Sequence, residues 1–236
     1  MDDNKNKVST PASGKETSEA NPAPSVDVDA ATLIKAYKEN ELGTDKQYKG
    51  KSLKNTSKKY FKKEPIIVST DINTGIKVPA PYSSKLGSDR IVDIVGAKVS
   101  SYLPAIVVDF GTATTFDCVD GDMNYRGGII CPGMNISAEA LYARAAKLPR
   151  VEIEAVSTSL GMDTTTQMQA GLFYGFLGQF ENIIKHLKEE LDGEYKVVLT
   201  GGLSKFIGKH SEYVDVVDEE LTLKGIIELY KMNKEK

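Results

Sequence analysis

The amino-acid sequence predicts an α/β fold in which a mixed β-sheet is covered by helices. Two observations lead to this fold class. Short apolar stretches typical of strands, such as AIVVDFG, TTFDCVD and YKVVLT, recur from Ala105 onward. Segments with apolar residues at helical spacing follow them. Strand pairs joined by a tight turn and followed by helices indicate a sheet with mixed strand directions.

The elements follow one another in a clear order. SDRIVDIVGAKVSSYL predicts a helix that begins at Ser88 or Asp89. AIVVDFG and TTFDCVD predict a hairpin, and RGGIICPGMN a glycine-rich third strand with its turn. ISAEALYARAAKL and DTTTQMQAGLFYGFLGQFENIIKHLKEEL predict two helices. YKVVLTGGLSKFIG predicts a strand, a turn and a helix, and LTLKGIIELYKMN a last amphipathic helix.

The start of the chain has a different composition. Residues 1–28 offer little to bury, so we expect a disordered tail there. Residues 29–57 predict one short amphipathic helix after Asp29, followed by a basic linker. At about Lys58 the composition changes, and EPIIVS predicts a short buried strand.

Composition narrows the class of function. A chain of 236 residues, 40% of them hydrophobic, suits one or two domains. A formal net charge of -3 gives no support to nucleic-acid binding, which leaves a small metabolite as the expected ligand. Cys118 and Cys131 lack the spacing of a zinc site or a disulfide framework. Without a signal-peptide pattern or a run of eighteen apolar residues, we expect a cytoplasmic protein with no membrane partner.

Three local patterns carry candidate chemistry. In DFGTATT, Gly111 lets backbone N–H groups approach an anion, nearby hydroxyls can donate to phosphate oxygens, and Asp109 can hold a cation; strand propensity explains the same threonines equally well. In TGGL, Gly201 and Gly202 fit either a nucleoside against the backbone or a plain tight turn. The hydroxyl donors proposed for the first pattern are Thr112, Thr114 and Thr115.

The third pattern is the segment Gly87–Arg90, GSDR. Its aspartate can accept a proton from a substrate hydroxyl while its arginine binds a carboxylate or phosphate, although helix capping alone also explains it. The sequence gives little support to Ser/His/Asp or Cys/His catalysis. His186 and His210 are the only histidines and are expected to be solvated, and Asp117 and Asp120 are expected to be surface charges.

Three glycines interrupt the long helical pattern. Gly171, Gly175 and Gly178 each cost about 1 kcal/mol relative to alanine in a helix interior. Close helix packing, with a second subunit as one possible partner, would explain them.

Taken together, these patterns with GGIICPGMNISAEALYARAAKLPRVE and GMDTTTQMQAGLFYGFLGQFENII resemble the type III pantothenate kinases. That family belongs to the superfamily of acetate and sugar kinases, Hsp70 and actin. The resemblance implies a ribonuclease-H-like (actin-like ATPase) fold over residues 58–236. Residues 58–104 would be a remnant of an incomplete first domain, and residues 105–236 the second domain.

The resemblance also implies roles for the site residues. Gly87, Ser88, Asp89 and Arg90 match the family's Gly-Ala-Asp-Arg segment, with Asp89 as proton acceptor, and Thr164 matches a later substrate-binding threonine. Asp109 matches the ligand of a monovalent cation. Tyr82 lies about two positions from the place of a family tyrosine and is not assigned. The implied nucleotide-binding residues are Gly111, Thr112, Thr114, Gly201 and Gly202.

The implied function is ATP-dependent phosphorylation of pantothenate to 4'-phosphopantothenate, the first step of coenzyme A biosynthesis, by a homodimer. The implied cofactors are ATP, Mg²⁺ and K⁺ or NH₄⁺. One departure matters: nothing matches the family's first phosphate loop, Asp-x-Gly-Asn-Thr. In its place, ATLIKAYKENELGTDKQYKGKSL resembles the start of an OB-like (tRNA-anticodon-like) family.

Loss of that loop predicts weak or absent kinase activity with substrate binding retained. A non-catalytic metabolite-binding or regulatory relative of the kinase is therefore the alternative. An OB-type nucleic-acid module is disfavoured by the net charge.

Overall fold

One mixed sheet organises the described part of the chain. The structure is a computed structural model that describes residues 66–82, 85–145 and 147–234. In these residues the strands are β1 (Ala105–Phe110), β2 (Ala113–Val119), β3 (Tyr125–Pro132), β4 (Lys196–Thr200) and β5 (Val216–Val217). Their order is β3-β2-β1-β4-β5, antiparallel from β3 to β1 and parallel from β1 to β5. The predicted α/β fold class, a mixed sheet flanked by helices, is confirmed.

The helices predicted from Ser88 onward are also present. They are α1 (Ser88–Val99), α2 (Met134–Arg144), α3 (Thr164–Glu190), α4 (Ser204–Gly208) and α5 (Leu221–Asn233). Of the helices in the described ranges, none combines the length and the apolar character that a membrane crossing requires.

The β1–β2 hairpin and the return of β4 set the register that matters for function. In the hairpin, Asp109 lies opposite Thr115 and Phe110 opposite Thr114. After α3 the chain re-enters the sheet as β4, parallel to β1, which places Asp109 beside Thr200. The carboxyl ends of β1 and β4 therefore meet at the same edge of the sheet.

The two faces of the sheet carry separate cores, because side chains alternate along each strand. Ile106, Val108 and Phe116 face α3, where they pack with Phe180 and Ile184. Ala105, Val107 and Val198 face the other way and pack with residues of α1 and α5. Helices thus cover both faces.

Helices α1 and α5 approach each other closely enough to exclude side chains at two positions. A Cβ atom added at Gly96 would collide with the carbonyl oxygen of Leu221, and one at Gly225 with that of Val92. This approach, together with the sheet, buries α1 on several sides, so that every residue from Ile91 to Ala97 is buried. The first turn of α1 is thereby held at a defined place above the sheet.

One predicted strand is wrong, and several predictions lie outside the described residues. Residues 66–69 form no strand; Ile67 is 56% exposed, whereas Val68 packs against the α1 core. A short apolar run needs a neighbouring strand to pair with, and the described residues supply none there. The predicted tail, the helix and OB-like fragment of residues 29–57, and residues 58–65 lie outside the described residues.

Candidate active site

Two motifs, DFGTATT and TGGL, that lie far apart in the chain meet at the edge where β1 and β4 end. Asp109 pairs with Thr200, and Gly201 follows at once with a φ of +87°. A Cβ atom added at Gly201 would lie 2.7 Å from the backbone nitrogen of Phe110 and closer still to Asp109 Oδ1. Glycine is required there both by its left-handed backbone and by the close approach. The structure therefore brings together Asp109 and Gly201, as a site built from both motifs needs.

The β1–β2 turn lies against the start of α2. Gly111 N–H donates to the carbonyl of Ala113 at 3.1 Å, and Gly133 N–H donates to the carbonyl of Thr112 at 3.1 Å. Gly133 is the N-cap residue of α2. Thr112 and Gly202 are both exposed. Both of these N–H groups are used within the protein, so the exposed Thr112 side chain and the Asp109 carboxylate are the groups at this edge that suit phosphate groups and a cation.

The predicted nucleotide-binding threonines separate onto two faces. Thr115 lies opposite Asp109 in the hairpin, so it shares the face toward α1 with Asp109 and Thr200. Thr114 lies on the other face, with Phe116, and is 3% exposed. The structure does not bring Thr114 to Asp109, whereas Thr115 lies next to it. Alternation counted from Asp109 across the hairpin is the sequence signal that separates the two.

Thr200 belongs to the TGGL pattern, but the sequence assigns it no role. It is 1% exposed, and its Oγ1 atom has no hydrogen-bond partner among the described residues. Buried hydroxyl groups are normally hydrogen-bonded, so a group of this kind beside Asp109 fits an edge that holds a ligand or water. No group of three or more His, Cys, Asp or Glu in the described ranges could hold a metal ion. A cation at this edge would therefore depend on few protein carboxylates.

The predicted substrate segment forms the start of α1. Gly87 is its N-cap residue, and Ser88 and Asp89 are exposed in the first turn. Arg90 turns toward the sheet: its Nη2 lies 2.6 Å from Asp117 Oδ1 and its Nε donates to both carboxylate oxygens, at 2.9 and 3.0 Å. Arg90 and Asp117 thus form a bidentate ion pair across α1 and β2.

The expectation that Asp117 is a surface charge is wrong. Asp117 is 2% exposed, because its place in β2 directs it toward α1. Burial raises the pKa of this carboxyl, and the hydrogen bonds and charge of Arg90 limit that rise. Tyr125 Oη donates to Asp117 Oδ1 at 3.0 Å and accepts from Arg90 Nη2 at 2.5 Å. Burial and the charge of Asp117 raise the pKa of Tyr125, so its hydroxyl keeps the proton that it donates.

Thr164 lies in a different neighbourhood. It is the first residue of α3 and is exposed, and Asp163 caps the helix by accepting from Thr166 N–H at 3.0 Å. Among the described residues, no hydrogen bond or ion pair joins Thr164 to the segment Gly87–Arg90. An open surface cavity of about 400 Å³ lies beside this helix start and includes Gly161 and Tyr174 in its lining.

The two histidines and Asp120 lie outside this site. His186 is exposed, as expected, and so is His210. Asp120 has only intermediate exposure; its side chain accepts from the N–H groups of Asp122 and Asn124, which closes the β2–β3 turn.

Comparison with known proteins identifies the family. The type III pantothenate kinase profile matches residues 47–186, which is more than half of the chain. A solved structure from Campylobacter jejuni, described as a conserved Baf family transcriptional activator, is 24% identical over 69% of this chain and 71% of its own, with a TM-score of 0.48. The ethanolamine utilization protein EutJ from Carboxydothermus hydrogenoformans is 18% identical over 57% of this chain and 52% of its own, with a TM-score of 0.38.

A third solved structure holds a nucleotide analogue. The activator of 2-hydroxyisocaproyl-CoA dehydratase from Clostridium difficile, with bound ADPNP, is 10% identical over 61% of this chain and 68% of its own, with a TM-score of 0.36. The family profile, rather than these distant structures, identifies the protein. The chain belongs to the type III pantothenate kinase family.

Proposed function

We propose that this chain binds pantothenate and ATP at the face of the sheet covered by α1, and that its chemistry is transfer of the γ-phosphoryl group to the primary hydroxyl of pantothenate. One observation carries the proposal. In a chain of a kinase family, Asp109 meets Gly201 at the strand ends, and α1 presents an exposed carboxylate, Asp89, on the same face.

Asp89 is the proposed proton acceptor. As the pantothenate hydroxyl oxygen forms its bond to the γ-phosphorus, the bond to the β-phosphate oxygen breaks, ADP leaves and the hydroxyl proton passes to Asp89. Asp89 is exposed in the first turn of α1 and is therefore open to substrate. Arg90 is the proposed contact for the remainder of pantothenate. The family resemblance also proposes Thr164, which lies at the start of α3, the helix that covers the other face of the sheet.

The strand-end residues fit a nucleotide with its cations. Asp109 supplies a carboxylate, Thr112 and Thr200 supply hydroxyl groups, and the Gly201 and Gly202 backbone allows close approach. When bound, Mg²⁺ and a monovalent cation would neutralise phosphate charge. The protein's own contribution is to hold the phosphates in line with the hydroxyl that Asp89 deprotonates.

We expect the 236-residue chain to bind its ligands but to turn them over slowly or not at all. Its sequence contains no Asp-x-Gly-Asn-Thr segment, so one set of phosphate contacts is missing. Removing one donor group of such a site typically costs a factor of about 10²–10³ in rate. The same observation favours the alternative, a metabolite-binding or regulatory relative of the kinase.

A homodimer is proposed from the outer surface of α3. Cβ atoms added at Gly171, Gly175 and Gly178 would meet no heavy atom within 4 Å in the described structure, so packing within the described residues does not explain these glycines. Met162 is 92% exposed just before the helix. Packing of α3 against a second copy would bury this surface. Sedimentation of the chain as a monomer at micromolar concentration would contradict the dimer.

Calorimetric titration with MgATP and with pantothenate tests the proposed function, with a turnover assay in parallel. We expect both ligands to bind, and Asp89→Asn to abolish any turnover while MgATP binding persists. Binding of both without turnover selects the regulatory alternative. Failure of both ligands to bind the unmodified chain would contradict either form of the proposal.

A further inference from the structure

The ion pair between Arg90 and Asp117 gives the GSDR segment a second function besides substrate contact. Arg90 directly follows Asp89 in the first turn of α1, and its side chain reaches down to the sheet. Of the three guanidinium nitrogens, Nε and Nη2 are hydrogen-bonded to Asp117 and Tyr125. Nη1 has no acceptor among the described residues. A substrate anion could therefore take only one nitrogen of Arg90.

The Arg90–Asp117 pair is mostly buried, and the neighbouring strand leaves space for it. Asp117 is 2% exposed and Arg90 lies mostly covered, with 15% of its side chain exposed. Gly128 of β3 lies beneath them: a Cβ atom there would stand 2.7 Å from Arg90 Nη2 and 2.8 Å from Tyr125 Oη. Strands β2 and β3 thus supply a carboxylate, a hydroxyl and an open space that together receive one guanidinium group.

We infer that Asp117, supported by Tyr125, is a positioning residue that holds the first turn of α1 through Arg90 and so places Asp89 for its reaction with the substrate hydroxyl. The inference rests on the proposed function. A bidentate pair fixes both the direction and the rotation of the guanidinium plane, which a single contact does not. The Ile91 N–H···O=C Gly87 bond, 3.0 Å long, closes the turn that is held in this way.

Asp117→Asn tests the inference, with Asp93→Asn as its matched control. Asp93 is a second buried aspartate and lies in α1, the same helix as Arg90; it is 4% exposed and accepts from Thr222 Oγ1 of α5 at 2.7 Å. We expect Asp117→Asn to weaken pantothenate binding at least tenfold and to leave the Kd of MgATP within twofold. Asp93→Asn lowers stability but leaves both Kd values within twofold.

Two further variants test whether Arg90 and Tyr125 act together with Asp117. Arg90→Lys keeps the charge but loses the bidentate geometry, so it should weaken pantothenate binding as Asp117→Asn does, and the double variant should be no weaker than the worse single one. Tyr125→Phe removes one hydroxyl from the cluster and should weaken binding two- to fivefold. If Asp117→Asn does not fold, Tyr125→Phe decides the question, and an unchanged Kd for pantothenate overturns the inference.

Hydrogen exchange separates this inference from the proposed function. If the unmodified chain binds no pantothenate, the proposed function fails, and the exchange rate of the Ile91 amide still tests the positioning. Exchange that is at least tenfold faster in Asp117→Asn than in Asp93→Asn supports it. Equal exchange rates in the two variants, or equal pantothenate affinity of Asp117→Asn and the unmodified chain, overturn it.

Discussion

The two faces of the sheet use the same strands for different purposes. Toward α3, β1 and β2 present Ile106, Val108 and Phe116, which pack with Phe180 into an apolar core. Toward α1, the same strands present Asp109, Thr115 and Asp117. Neighbouring residues of one strand therefore serve stability and chemistry separately. Since side chains alternate strictly, each role can be altered with little direct effect on the other.

The largest effect is expected from Phe116→Ala on the apolar face. Phe116 is fully buried and stacks with Phe180 at 6.3 Å between ring centroids. Its truncation should lower the free energy of unfolding by about 3–5 kcal/mol, measured by urea denaturation. Thr115→Val, one residue away on the other face, is the matched variant. It should weaken MgATP binding and lower the free energy of unfolding by less than Phe116→Ala does. If a folded Phe116→Ala protein lost as much MgATP affinity as Thr115→Val does, the two faces would not have separate roles.

A smaller effect is expected from Gly201→Ala at the strand-end site. The added Cβ meets Asp109 and Phe110 and must adopt a φ of +87°, so stability should fall by at least about 2 kcal/mol and MgATP binding should be lost. Gly193→Ala is the control, because Gly193 has a φ of +97° but no atom within 4 Å of an added Cβ. It should cost only the backbone strain, about 1–2 kcal/mol. Equal effects of both variants in denaturation and in titration would show that Gly201 has no role beyond its φ angle.

The smallest effect is expected from the buried thiol of Cys118, which makes stability depend on pH. Burial on the apolar face raises the pKa of Cys118 from 9.0 to about 12. Because the folded-state pKa is the higher one, the thiol's contribution to stability is complete below pH 9 and is lost as the pH rises toward 12. Between pH 8 and pH 10 it should account for a loss on the order of 1 kcal/mol in the free energy of unfolding. Cys118→Val should remove that part of the slope; an identical slope in the variant would contradict the assignment.

Local patterns predicted much of this architecture. The hairpin, the third strand, the helix starting at Ser88 and the strand, turn and helix around Gly201 all follow from alternation, helical spacing and turn residues. The meeting of Asp109 with Gly201 required only that two parallel strands end at one edge. These features depend on neighbours in sequence or on general rules of sheet topology.

What failed depended on distant partners. Asp117 looks like an exposed charge until Arg90, 27 residues earlier, is placed above it by the packing of α1. EPIIVS has strand character without a neighbouring strand in the described residues. Thr114 and Thr115 are equivalent in composition, and only the hairpin register shows which of them accompanies Asp109. Tertiary contacts decided each of these cases.

An amide NMR titration with MgATP tests the central claim, that the α1-facing strand ends are the ligand site, most directly. We expect the largest chemical-shift changes at the amides of Gly111, Thr112, Gly133, Gly201 and Gly202. Amides of α3 from Gly171 to Phe180 should move little. Changes centred on α3, or a saturating titration that leaves the strand-end glycines unmoved, would contradict it.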